Sequence, residues 1–387
     1  MQELVYQVSF NTPAFLGNAD QQAQWRTPPF KALIRQWWRV AQKARTATDT
    51  QRMRHDEGMQ FGNAWLTDAD SKPLHRKSDL LVRLAVPSEH SMGTLSTEGW
   101  QQFEFDRVPT SRDATLRADL YTGYGPVQSE RVRGVRRITI ERGAIDVDKA
   151  AQLRLGAKEP LQRLEEALQL MHWFGTIGSR SRNGWGSLRL VPENDGSREF
   201  GLRNAHELAA RFGRPWRECR VLDWPHAIGS DDSGPLVWLT EELADWRAAI
   251  GRLARIRIAV RLASKRIRDP DSKVGAIHFL GYPAGTGPSN PWTLVRPDAP
   301  EPRLASPLRF KVVRSGVQVR ALVFHMPARL PDAFLSAVGS KESAWLAQDR
   351  NWLDAWEVVH RVLDNNEDPM VPGKPLGIHR LGHRHDG

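Results

Sequence analysis

The chain has 387 residues, 40% hydrophobic and 26% charged, which fits a folded protein of about two domains and excludes a disordered or low-complexity one. Lysine and arginine outnumber aspartate and glutamate by 55 to 45, and the net charge of +10 favours phosphates or acidic surfaces over cationic partners. The single cysteine, Cys219, excludes an internal disulfide and a thiolate zinc site and fits a reducing, cytoplasmic setting, while no stretch approaches the ~18 apolar residues of a membrane span.

Leu4 to Phe10 alternates apolar and polar residues and predicts a first strand, not the apolar core of a signal peptide. A loop follows, then a helix for which Thr27 is the expected N-cap and Pro28 the first helical residue, where its missing N–H costs nothing. At 100° per residue, Phe30, Leu33, Ile34, Trp37, Trp38 and Ala41 share an arc of roughly 140°, which predicts a core face. Lys31, Arg35, Arg39 and Lys43 share another arc. No acidic residue lies between Asp20 and Asp49, so this second face concentrates like charge and predicts an external polyanion rather than a solvated face of mixed sign.

Further along, residues 51 to 66 read as a short turn closed by Glu57, Phe61 and Gly62, and Lys77 to Val86 as a second strand. Residues 88 to 125 break into polar and glycine-containing pieces and predict an irregular insertion. Arg136 to Ile145 predicts a third strand, Glu159 to Phe174 a second helix begun by Pro160 and ended by Gly175, and Ser187 to Val191 a fourth strand. The order β-α-β-β-α-β over residues 1 to 195 is that of a ferredoxin-like or RRM-like domain. After a crossing rich in Arg, Pro, Gly and Asp at 196 to 235 come a helix at Thr240 to Leu262, a strand at Ala276 to Tyr282, a hairpin at Pro307 to Val313 and Val317 to His325, and a helix at Ser343 to Leu363. The expectation is an α+β chain of two ferredoxin-like domains in tandem, 1–195 and a more degenerate 196–387.

Three constellations carry chemistry. In GTIGSRSRNGWG, Gly175 to Gly186, the glycines permit close backbone approach to a phosphodiester, and Arg180 and Arg182 supply charge; Gly178, Asn183, Gly184 and Trp185 complete the expected phosphate cradle. Tyr121 to Arg137 sets tyrosines beside arginines, a combination suited to single-stranded nucleic acid, with Tyr124 and Arg133 as its candidates. Arg26 precedes the cationic helix and joins its four basic residues. For catalysis only Asp20 stands out, on a loop where it could hold a metal or orient a 2′-OH, and no second acid or base accompanies it. His172 reads as structural, and the tail histidines His379, His383 and His385 read as a basic end rather than a metal site. P-loop, dinucleotide, zincin and serine-hydrolase signatures are absent, so no cofactor and no small-molecule substrate are expected.

TPAFLGNADQ, RTPPFKALIRQWWR, EGMQFG, YTGYG and FGTIGSRSRNGWGSL, in this order between residues 5 and 190, resemble the RAMP (repeat-associated mysterious protein) superfamily of CRISPR systems, and within it subunit one of the type III-B Cmr effector complex. FLGYP at Phe279 to Pro283 and PRLASPLRF at Pro302 to Phe310 extend the likeness into the second half. The resemblance implies two ferredoxin-like folds, guide RNA, target RNA and other RAMP and Cmr subunits as partners, and a place near the guide's 3′ end where target RNA is captured. It also implies a non-catalytic chain; the alternative is a metal-dependent endoribonuclease using Asp20. This sequence differs from the family pattern at Ala32, where a glycine often follows the lysine, and at Asn18, where a second loop glycine often stands.

Overall fold

A computed structural model describes residues 2–382 apart from 44–45, 65–66, 68–69, 88–93, 112–113, 134, 148, 158–162, 194–199, 286–292, 295–301 and 372. The chain is α+β. Strands Gln2–Phe10, Leu81–Ala85, Ala150–Ala157 and Leu188–Pro192 form a four-stranded antiparallel sheet in the order fourth, first, third, second. Leu4 pairs with Leu155 and Val8 with Leu190 across it. Helices Thr27–Gln42 and Leu164–Phe174 pack together, with the Trp37 and Phe174 rings 5.9 Å apart.

The first helix buries the expected face: Phe30, Leu33, Ile34, Trp37, Trp38 and Ala41 are all in the core. Each of the larger side chains contributes about 1.5–3 kcal/mol on full burial, so this helix is firmly fixed. It starts one residue earlier than expected, because Arg26 occupies the N-cap position and makes no side-chain cap bond. Lys43 ends it in the left-handed region at φ 57°.

Several expectations need correction. Residues 51 to 61 are not a turn, because Ala47–Phe61 is a full helix started by a capping box between Thr46 and Asp49. It lacks an apolar stripe, and its buried residues include Met53, Phe61 and the carboxylate Glu57, so hydrophobic periodicity could not reveal it. The expected irregular insertion contains a helix at Thr97–Gln101, a hairpin of Arg107–Ser111 with Ala114–Arg117, and a helix at Ala118–Gly123. Arg136 to Ile145 supplies no strand to the sheet. Val135–Ile140 pairs instead with Val127–Val132 in a two-stranded ribbon, and Ala150–Ala157 takes the third place. Alternation predicts a half-buried strand but not which partner it finds.

In the second half, strands Val237–Thr240, Leu308–Ser315, Gln318–His325 and Ile378–Arg380 make another antiparallel sheet in the order second, third, first, fourth. Read from its other edge, this is the same order as in the first sheet. Helices Trp246–Ser264 and Asp349–Asp364 belong to this half. Ala276–Leu280 is a 3-10 helix rather than a strand, Ser343 to Leu363 divides into Ser340–Ala347 and Asp349–Asp364 at Gln348, and the crossing region holds a helix at Leu202–Arg211.

The halves share their interior. Trp100 of the insertion and Trp185 of the glycine-rich loop lie 6.3 and 6.1 Å from Trp246, and Phe324 lies 5.1 Å from Phe174. Lys311, wholly buried, extends its ammonium to the carbonyls of Gly175 at 2.7 Å and Leu188 at 2.8 Å, with the His172 carbonyl a third partner. It thus docks against the C-terminal carbonyls of Leu164–Phe174, where the helix dipole favours a cation, while burial lowers its pKa well below the usual value. These bonds tie the two halves together where the glycine-rich loop begins. No described helix is long and apolar enough to cross a membrane.

Candidate nucleic-acid interface

The cationic face of the first helix is only partly available. Glu57, 4% exposed, accepts from Arg35 Nε at 2.6 Å and from Arg39 Nε and Nη2, each at 2.6 Å. One carboxylate thus holds the two central arginines. Lys31 is half-buried, and loss of water followed by the nearby Arg35 lowers its pKa. Lys43 sits with its ammonium 5.4 Å from the Phe212 ring centre, and Arg26 is exposed at the helix start. The expected unbalanced repulsion is reduced by an acid that lies beyond the helix itself.

The glycine-rich loop is built from inside. Trp185 is fully buried, donates its indole N–H to Thr122 Oγ1 at 3.1 Å, and packs 5.4 Å from Trp100 and 5.3 Å from Phe15. It is a core residue, so its place in the expected phosphate cradle is taken by aromatic packing. Asn183 donates from Nδ2 to the Thr122 carbonyl at 2.7 Å. Gly184 has φ +95°, and a Cβ there would lie 2.6 Å from Leu253 on helix Trp246–Ser264. Gly178, at φ +89°, brings the chain against the Phe15 carbonyl, which a Cβ would meet at 2.7 Å. These four residues serve the protein's own close packing, which corrects their expected role as a phosphate cradle.

What this packing leaves outward is Arg180 and Arg182, both exposed, with Arg180 held at φ 57°. Around Arg180 the fold gathers Arg257, Arg303 and Arg142, whose charges add to loss of water in lowering its pKa. Arg142 donates to Ser179 Oγ at 2.9 Å, and Arg257 lies 5.2 Å over the Tyr121 ring. Tyr124, 53% exposed, stands beside Arg180, and Gly125 lies directly against the Arg180 guanidinium. Arg182 is exposed by area yet crowded by protein atoms, and that loss of water lowers its pKa. Its neighbour Arg309 is 8% exposed, and burial followed by the Arg182 charge pushes its pKa down to about 9. Arg309 therefore stays cationic at neutral pH. Among the described residues, none of Arg142, Arg180, Arg182, Arg257, Arg303 and Arg309 forms an ion pair.

The fold brings Tyr124, Arg180 and Arg182 into one region and places Arg26, Lys31, Arg35, Arg39 and Lys43 on the first helix. Arg133 occupies the exposed turn of the two-stranded ribbon, at φ 51°. Asp20 is exposed in a turn where Asn18 Oδ1 accepts from the Asp20 N–H at 2.9 Å and the Gln22 N–H at 3.1 Å. No group of three His, Cys, Asp or Glu side chains among the described residues is placed to hold a metal. His172 is buried, and loss of water, with Lys311 next, pushes its pKa down to about 3. His379 lies on the last strand, and His383 and His385 fall outside the described residues.

Sequence reasoning missed Arg142, Arg257, Arg303 and Arg309, which the fold collects from distant segments. One signal was there to find Arg257. Helix Trp246–Ser264 and its flank contain no acid between Asp245 and Asp269, and Arg257 and Arg261 stand four apart, the spacing of one helix face.

No protein-family model and no curated protein matches the chain. Among solved structures it is similar to Cmr1 from Pyrococcus furiosus in its apo form, at 14% identity and a TM-score of 0.41, over 91% of this chain and 97% of that one. It is also similar to a chain of the type III-B Cmr-β complex bound to cognate target RNA, at 10% identity and a TM-score of 0.42, over 92% of this chain and 100% of that one. These neighbours come from the same group that the sequence motifs resemble.

Proposed function

We propose that the chain is an RNA-binding, non-catalytic subunit of a type III-B CRISPR RNA-guided effector complex, corresponding to subunit one of the Cmr assembly. In this reading each half is a ferredoxin-like domain, a view supported by the shared strand order of the two four-stranded sheets. The chain works in the cytoplasm beside other RAMP and Cmr subunits, near the guide RNA's 3′ end, and helps capture target RNA.

One observation carries the reading: Arg142, Arg180, Arg257 and Arg303 converge beside exposed Tyr124 without a described carboxylate to neutralise them. Like charges repel one another, so their convergence is costly unless a polyanion passes over them. Arginine suits phosphate through its planar fork, and tyrosine gives a base something to stack on at about 1–3 kcal/mol per base. Sequence selection falls to guide–target pairing, while the protein holds backbone and shape, by analogy with another RNA-guided class.

Fluorescence anisotropy of single-stranded RNA against salt tests this. Four phosphate contacts give a slope of log K against log salt of about −3 on a single strand. Arg180→Ala with Arg257→Ala should bring it to about −1.5, and an unaltered slope would remove these residues from the RNA path. The same RNA incubated with Mg²⁺ distinguishes binding from chemistry: cleavage that disappears in Asp20→Ala would establish the endoribonuclease reading instead.

A further inference from the structure

Where the two long helices of the second half end, the fold leaves a cleft of about 870 Å³, within the size range of preformed binding sites. Helix Asp349–Asp364 buries Trp352, Ala355, Trp356, Val359 and Leu363 in the core. Val358 and Val362, four apart on one flank, stand a row beyond that face and are half-buried. They line the cleft with Ala263 and Ile267 from the end of helix Trp246–Ser264. The third wall is the loop after Asp364, with Pro369 and Pro375, and it is pinned in place. Asp368, 5% exposed, accepts from Arg255 Nη2 at 2.8 Å, and the Leu376 N–H donates to the Asn366 carbonyl at 2.9 Å. The cleft is therefore formed before anything enters it. Its charge is one-sided. Arg266, Arg361 and Lys374 stand exposed on its walls, and none forms an ion pair among the described residues. Of the two acids there, Asp368 is paired with Arg255, which leaves Glu367 against three cations.

We propose that this cleft docks a short, acidic, amphipathic helix of another protein, with apolar side chains against Val358, Val362 and Ile267 and carboxylates against Arg266, Arg361 and Lys374. No described aromatic side chain lines the cleft, so a nucleobase finds nothing to stack on, in contrast to the seam with Tyr121 and Tyr124. Aliphatic walls ringed by cations match instead a helix whose apolar stripe is flanked by Asp and Glu. The two valines lie about 6 Å apart along their axis, close to one helical turn, the spacing at which such a stripe repeats. The proposal stands apart from the RNA-binding reading, because the cleft shares no residue with the arginine cluster around Arg180.

The test selects binders of the full chain from a random peptide library displayed on phage. The selected peptides should be rich in Leu, Ile, Asp and Glu, with apolar residues three or four apart. Binding of the tightest synthetic peptide, followed by fluorescence anisotropy, should weaken by about tenfold or more in Val362→Asp and in Arg361→Glu. Arg266→Glu combined with Arg361→Glu should reverse the preference, so that the same peptide with Lys at each acidic position binds the variant better than the acidic one does. The arginines are exposed and Val362 is half-buried, so folding is little at risk, and circular dichroism checks each variant. Selected peptides that are basic or uncharged, or that bind Val362→Asp as tightly as the wild type, would overturn the proposal, and so would a selection that returns none. A dimer in sedimentation that Val362→Asp dissolves would give the cleft to a second copy of the chain, and displacement of the peptide by single-stranded RNA would give it to nucleic acid; either result overturns the assignment. Loss of the salt slope of RNA binding, with the peptide still bound, would defeat the RNA reading alone.

Discussion

Helices Thr27–Gln42 and Trp246–Ser264 look alike on paper, since each runs through a long basic stretch without an acid, yet the fold treats them differently. The first meets Glu57 from the next helix, which pairs with both of its central arginines and offsets one of their two charges. The second also loses charge on one side, where Arg252 pairs with Glu241 and Arg255 with Asp368. Arg257 keeps its charge at the seam, where Arg142, Arg180 and Arg303 join it. A run of like charge therefore does not measure the charge a ligand will meet; what counts is whether distant segments deliver carboxylates to it. Lys311 refines the lesson: a buried cation without a carboxylate is accounted for when carbonyls at a helix end surround it, and Arg309 has no such set.

Acid should blur the contrast most, because it creates unpaired cations in both halves. His172 in the first half and His360 in the second are buried with pKa values pushed down to about 3, and burial holds His325 well below its usual value. These rings are neutral when folded and protonate near pH 6.5 when unfolded. Their stabilising effect is full above about pH 6.5 and is lost as pH falls toward 3, at up to ~1.4 kcal/mol per histidine per pH unit. Urea midpoints should therefore fall steadily from pH 6.5 to 4. A flat profile would show that these rings are not buried as described.

Removing the acid that distinguishes the first helix is the next largest change. Glu57→Ala should destabilise the chain by about 2 kcal/mol, less than the ~3–5 kcal/mol for breaking a fully buried pair, since Arg35 and Arg39 are partly exposed and regain water. The released arginines should make the salt slope of RNA binding steeper if that helix adjoins the strand. An unchanged slope beside reduced stability would leave the helix as a structural element alone.

Much of the fold was legible because its elements are carried by strong periodic patterns. The apolar arc from Phe30 to Ala41, the strand Leu188–Pro192 and the hairpin around Gly316 follow from spacing and turn chemistry. Helix Ala47–Phe61 was not legible because it buries a carboxylate in place of an apolar stripe, and strand Ala150–Ala157 lost its place to the ribbon because both alternate. The site was half legible. Arg180 and Arg182 stand in a glycine-rich segment that attracts notice, but Trp185 and Gly184 share that segment for reasons of packing with Trp246 and Leu253. Arg142, Arg257, Arg303 and Arg309 come from the segment after the ribbon, the long helix, the loop before the second sheet and that sheet itself, and only the fold gathers them.

The smallest effect gives the sharpest comparison between the two helices. A single phosphate contact changes the salt slope on single-stranded RNA by about 0.7, so one alanine in each helix can be measured against the wild type. Arg257→Ala removes a cation with no described carboxylate partner, and its cost should appear as that change in slope with little loss of stability, because its contact with Tyr121 is a cation–π pair worth about 0.5–1 kcal/mol. Arg35→Ala removes one of two cations from Glu57 and leaves Arg39 holding the carboxylate through two bonds. Local charge there falls from about +1 to about zero, so any RNA over the first helix would feel a change of similar size. Equal slopes for the two variants would place both helices on the RNA path. A change confined to Arg257→Ala would assign the path to the seam and the first helix to the core, the division that the pairing of Glu57 favours.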